Sequence, residues 1–234
     1  MVLCMDKKDL AFFLDCANHH PDATSQDIRK LCAVVLKYGF HSAFVNPCYV
    51  PLAKKLVGKK ASVGTVVSFP LGQDTLAAKI AAAVDAAKNG ADELDVSMNV
   101  GMFKEKRYSL VREGMTRIVK AVKKTRKNTL VKFIIETGYL TSKEIQVASR
   151  LVVASGADFV KTCSGLGPRG ASLKDVTLIK KAIGNKALIK VAGGISTTEQ
   201  AIAFVRAGAH RIGTSHAVEI VKGVSSKYEN GGKE

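Results

Sequence analysis

The chain repeats one alternation eight times: a short apolar run, then a connection that in most units carries the periodicity of an amphipathic helix. The runs fall at residues 12–17, 42–46, 62–69, 93–99, 130–136, 158–163, 187–192 and 211–215. Helical patterns occupy 24–38, 73–89, 109–126, 142–155, 172–183 and 197–207, and in the shorter connection around 48–60 Pro51 is placed to open a helix. Strands separated by helices pair in parallel, because a parallel neighbour needs a crossover. Eight such units predict an α/β fold of the closed (β/α)8 barrel type, in one domain, rather than an open doubly wound sheet. The 234 residues suit this, since one barrel uses about 250. The barrel is expected over residues 1–222, and the Gly-, Ser- and charge-rich segment 223–234, which contains Tyr228, reads as a flexible tail.

A weak internal repeat locates the business end of such a barrel. Gly90, Gly156 and Gly208 each close a helical pattern, and five residues further on stand Asp95, Lys161 and Gly213. Equivalent units would bring these three to similar heights near the C-terminal ends of their strands, the face that carries the active site in this architecture. Barrel strands are covered on both sides and should be apolar. Asp15, Asp95, Lys132, Glu136, Lys161 and Lys190 break that rule. A charge in such a place is paired or functional, and for Lys132 and Glu136 a structural ion pair is as good a reading as a functional one.

Lys161 and Lys190 end the sixth and seventh runs. Adjacent strands lie about 4.8 Å apart, so the two ammonium groups can approach each other. Like-charge repulsion with partial burial lowers a lysine pKa, and a neutral lysine attacks a carbonyl to form a Schiff base. Asp95, two strands away, is placed to move protons through a water. One lysine that bonds, one that tunes and one carboxylate that relays suffice to make or break a carbon–carbon bond next to a carbonyl, with no metal and no cofactor. The five histidines form neither HxH nor HExxH and read as loop or surface residues. After the seventh and eighth runs, Gly193 and Gly194, then Gly213 and Ser215, lead into helices, with Gly165 as a third wall. Glycines permit close backbone approach and helix starts offer N–H groups to an anion, so this side is expected to hold a phosphate.

Composition narrows the partners. A net charge of +16 attracts anions, yet the basic residues are dispersed and there is no Trp, which disfavours nucleic acid as the main ligand. No apolar run is long enough for a membrane span, and residues 1–10 lack a signal-peptide core. Five cysteines, an odd number with no CxxC pair, suit free thiols in a reducing cytoplasm.

Phe69-Pro-Leu-Gly72, Gly90-Ala-Asp-Glu-Leu-Asp95, Ile134-Ile-Glu-Thr-Gly-Tyr-Leu-Thr141, Gly156-Ala-Asp-Phe-Val-Lys-Thr162, Gly193-Gly194 and Arg211-Ile-Gly-Thr-Ser215, in that order, resemble the deoxyribose-phosphate aldolase family over nearly the whole chain. The resemblance implies reversible cleavage of 2-deoxy-D-ribose 5-phosphate to acetaldehyde and D-glyceraldehyde 3-phosphate by a cytoplasmic homo-oligomer, dimer or tetramer. It implies Lys161 as the Schiff-base lysine, Lys190 as the second lysine and Asp95 as the proton relay. Asp15 would lie near substrate hydroxyls, Lys132 in the inner network, and Ser164, Gly165, Gly193, Gly194, Gly213 and Ser215 around the substrate and its phosphate. The chain departs from the family pattern at Cys16-Ala17, at Thr162-Cys-Ser164 and at Ser196, where an arginine is common. These changes bear on affinity and phosphate preference. Two other readings compete: a related Schiff-base lyase or transaldolase-like barrel acting on another sugar phosphate, and a non-catalytic barrel that binds anions or nucleic acid.

Overall fold

A computed structural model describes residues 5–224. Eight parallel strands close on themselves in sequence order: β1 (Leu14–Asn18), β2 (Ser42–Val45), β3 (Ser62–Val67), β4 (Glu93–Ser97), β5 (Leu130–Ile134), β6 (Phe159–Lys161), β7 (Leu188–Ala192) and β8 (Arg211–Thr214). Ten α-helices accompany them among the described residues: α1 (Lys7–Phe12), α2 (Ser25–Tyr38), α3 (Val50–Val57), α4 (Leu76–Lys88), α5 (Val100–Lys104), α6 (Tyr108–Thr125), α7 (Ser142–Ala154), α8 (Leu173–Ile183), α9 (Thr198–Ala207) and α10 (Ala217–Lys222). This is the (β/α)8 barrel that the alternation predicts. The expected tail, Tyr228 included, lies outside the described residues except for Gly223 and Val224.

Local chemistry sets the helix starts. Thr24, Thr75, Thr141, Ser172 and Thr197 precede α2, α4, α7, α8 and α9, and each side-chain oxygen accepts the amide three residues on, satisfying one of the donors a helix start leaves free. Side-chain alternation then divides each strand. In β4, Leu94 and Val96 join the apolar layer shared with the helices, while Glu93, Asp95 and Ser97 take the opposite, inward direction. The same rhythm turns Lys132, Lys161, Lys190 and Arg211 inward, in a ring of Cα partners running Asp95–Lys132, Ile134–Lys161, Lys161–Lys190 and Lys190–Arg211.

Strand boundaries differ from the sequence expectation in a consistent way. Phe12 ends α1 instead of opening β1, because the Asp6 capping box starts a helix there. At the other ends, Ser68, Glu136 and Ser215 lie beyond their strands. Ser68 and Glu136 adopt left-handed backbone, φ 55° and 51°, which turns the chain out of the ladder and into the loops of the barrel mouth.

Candidate active site

The mouth holds a cavity of about 510 Å³. Asp15, His19, Lys161, Ser164, Gly165, Lys190, Gly193, Gly194, Gly213 and Ser215 all line it. Of the residues given a catalytic or substrate-binding place from the sequence, only Asp95 and Lys132 do not line it. Both are fully buried and lie beneath the cavity, joined to it through the lysines.

Asp95 is the hub of that buried layer. Its Oδ2 accepts from Lys161 Nζ at 2.8 Å and also lies 2.8 Å from Lys190 Nζ. Its Oδ1 faces Lys132 Nζ at 3.3 Å. The two lysine nitrogens therefore share one oxygen and sit on the same side of the wall. Lys190 also pairs with Asp15 Oδ2 at 2.7 Å and stands 3.5 Å above the Phe44 ring. Ser42 Oγ donates to Asp15 Oδ1 at 2.6 Å. Lys132 contacts acids and aromatic faces: it pairs with Glu93 and stands 5.0 Å from the Phe44 ring centroid. It reaches no cavity surface, so its place is in the ion-pair layer.

The electrostatics follow from burial first. Loss of hydration pushes the Lys161 pKa below the usual lysine value, the Asp95 carboxylate opposes that push, and the Lys190 charge adds to it. Desolvation leads and Lys190 reinforces it, the reverse of the order expected from the lysine pair alone. Asp95 resists its own desolvation because three ammonium groups face it, and its pKa falls well below the usual carboxylate range. It touches Lys161 directly.

Several residues of the site carry no motif. His19, read from sequence as an ordinary loop histidine, lines the cavity. Burial and the Lys161 charge lower its pKa to about 4, so it is a neutral imidazole at physiological pH. Glu93 and Arg211 escaped notice, although each lies two residues before a nominated one, Asp95 and Gly213, and period two marks the inward face of a strand. Asp15, His41 and Glu93 offer ligand atoms within 4.8 Å of one another, yet Lys132, Lys190 and Arg211 already supply the cations at those acids.

On the side where the sequence leads one to expect a phosphate, consecutive Gly193 and Gly194 have φ of 101° and 75°, a conformation L side chains rarely adopt. A Cβ on Gly193 would also lie 3.2 Å from Cys163 Cβ and 3.3 Å from Gly170 Cα. The β7 and β6 loops meet there backbone to backbone. Of the two residues read equally as structural ion pairs, Lys132 is ion-paired and Glu136 is not, among the described residues. Glu136 Oε2 instead accepts the Ser164 amide at 3.0 Å and so fixes the loop that follows Lys161. Beside it opens a second cavity of about 300 Å³, lined in part by Glu136 and Ser97 and sharing Ser164 and Leu166 with the first.

A desolvated lysine in a cavity, bound to a buried carboxylate and flanked by a glycine-rich anion cradle, is equipped for imine chemistry on a carbonyl compound. Known proteins agree with that chemistry. Residues 10–226 match the family model described as DeoC/LacD family aldolase. The deoxyribose-phosphate aldolase of Thermococcus kodakarensis is 43% identical over 222 residues, spanning 94% of this chain and 98% of that protein. That of Thermoanaerobacter sp. is 42% identical over 215 residues, 92% and 96% of the two chains. Among solved structures, the tetrameric deoxyribose phosphate aldolase of Aeropyrum pernix superposes with a TM-score of 0.86 at 31% identity, covering 93% of this chain and 91% of its own. With the barrel, the lysine pair and a match over nearly its whole length in agreement, the chain belongs to the DeoC/LacD family of aldolases.

Proposed function

We propose that this aldolase works through a Schiff base on Lys161 and that its substrate is 2-deoxy-D-ribose 5-phosphate. The observation that carries the reading is the Lys161 amine: it lines the cavity, its pKa is lowered by burial, and it hydrogen-bonds to Asp95. Neutral Lys161 Nζ adds to the C1 aldehyde of the open-chain sugar, and loss of water gives an iminium. Removal of the C3 hydroxyl proton breaks the C2–C3 bond, whose electron pair flows into the iminium to leave an enamine. D-glyceraldehyde 3-phosphate departs, C2 takes up a proton, and hydrolysis releases acetaldehyde. Asp95, bound to the reacting nitrogen, is the group placed to manage its protons. Asp15 is placed to receive a substrate hydroxyl, and the Gly193-Gly194 and Gly213–Ser215 segments to receive the phosphate. The substrate follows the names of the relatives, and a homo-oligomer follows the tetrameric Aeropyrum pernix protein. No described helix is long and apolar enough to cross a membrane, and a cytoplasmic location fits a soluble sugar phosphate.

The test is reductive trapping. Acetaldehyde with borohydride should leave a two-carbon adduct on Lys161, read by peptide mass spectrometry. A folded protein that cleaves the sugar phosphate with Lys161 unmodified would overturn the assignment, and cleavage of only a ketose phosphate would overturn the substrate.

A further inference from the structure

The inward layer contains more positive than negative groups. Asp15, Glu93 and Asp95 face Lys132, Lys161, Lys190 and Arg211. With all of them ionised, four positive groups face three carboxylates, and an unmatched charge in a dry interior is costly. Arginine does not give up its proton. Lys190 touches two carboxylates, Asp15 and Asp95, and Lys132 likewise touches Glu93 and Asp95. Lys161 touches Asp95 alone and opens on the cavity. The charge balance of the layer therefore selects Lys161 as the neutral amine.

Glu93 is the member on which that selection turns, although it lies at the start of β4, away from the cavity. It takes Lys132 with one oxygen. Its other oxygen lies 2.9 Å from His41 Nε2, which in turn lies 2.6 Å from Arg211 Nη2. Phe12 closes this end by standing edge-on to the His41 ring, with centroids 5.4 Å apart. We propose that Glu93 is a positioning residue for the Schiff-base lysine: by taking the closer contact with Lys132 it weakens that cation's hold on Asp95, and with Lys132 it sets the charge felt by Lys161. The inference rests on the Schiff-base reading of Lys161.

The Glu93–Lys132 pair is neutral as a unit, which makes a decisive experiment possible. Glu93→Gln adds one net positive charge to the layer, Lys132→Met removes one, and the double variant restores the sum. The titratable groups facing Lys161 in the native protein are Asp95, Lys190, Lys132 and His19. The readout is the pH dependence of kcat/KM, with borohydride trapping at Lys161 measured alongside. Glu93→Gln should move the acid limb down by about one pH unit and lower kcat about tenfold, because Lys132 then competes for Asp95. Lys132→Met should move the limb up by a similar amount. The double variant should return it close to the native position, and because its charges balance it remains informative if a single variant fails to fold. Single variants that shift the limb in the same direction, or a double variant whose limb stays displaced, would overturn the proposal. Absence of the adduct in the native protein would instead overturn the role of Lys161, and this inference with it.

Discussion

Replacing Lys190 by Met tests the tuning of Lys161 most directly. Methionine keeps an unbranched stem above the Phe44 ring and removes only the charge. Both lysine nitrogens lie 2.8 Å from Asp95 Oδ2, so they are separated by no more than twice that distance. At an effective dielectric constant of about 20, two unit charges at that separation repel by about 3 kcal/mol, or about two pH units. Burial of Lys161 and its bond to Asp95 remain in the variant, so the whole change is one of charge. The sign is upward: without Lys190 the protonated form of Lys161 is less disfavoured, its pKa rises and the neutral fraction at pH 7 falls. The assay is a full pH profile of deoxyribose 5-phosphate cleavage. At pH 7 kcat/KM should drop about 100-fold, and the loss should shrink as the pH is raised. An acid limb left in place under a uniformly lower plateau would refute the electrostatic argument and give Lys190 a role in binding or proton transfer.

Two further outcomes follow from the buried layer and its floor. Glu93 and Asp95 have pKa values well below their unfolded ones because lysines face them; stability from such groups is present above the unfolded value, about pH 4, and is lost as the pH falls below it. Melting temperature should therefore fall steeply from pH 5 to pH 3, and a flat profile there would contradict the pairing. At Gly64 a Cβ would sit 2.1 Å from Phe44 Cε2, so Gly64→Ala must displace the ring that lies under Lys190. Destabilisation of about 1–3 kcal/mol, measured by chemical denaturation, should accompany lower turnover, and a native-like midpoint would show that the ring has room to spare.

Much of this site could be read from residue types alone, because a charge in an otherwise apolar strand is conspicuous. Lys161, Lys190 and Asp95 stood out for that reason, and the structure joins them through one carboxylate oxygen. What stayed hidden depended on three-dimensional neighbours. Glu93 and Arg211 fall at the first residues of β4 and β8, where a charge reads as an ordinary strand end. His19 gains its character from Lys161 and from burial, neither of which is local to it in sequence. The dominance of desolvation over lysine–lysine repulsion was equally out of reach, since it depends on how completely the layer is dried. Helices α1 and α5 were missed because each is six residues or fewer, too short to display a period.

With Phe12, His41 and Arg211 packed against one another at the strand starts, the cavity beside Lys161 is lined, among the described residues, from the strand ends and the loops that follow them. Sugar phosphate enters, and both fragments leave, past this rim of glycine-bearing loops. On the proposed Schiff-base reading, the three-carbon fragment is held there only by noncovalent contacts, whereas the two-carbon fragment stays bonded to Lys161 deeper in. Departure is thereby sequenced: the phosphorylated aldehyde goes first, water follows it inward, and acetaldehyde is freed last. In the synthetic direction the same geometry loads acetaldehyde before its phosphorylated partner.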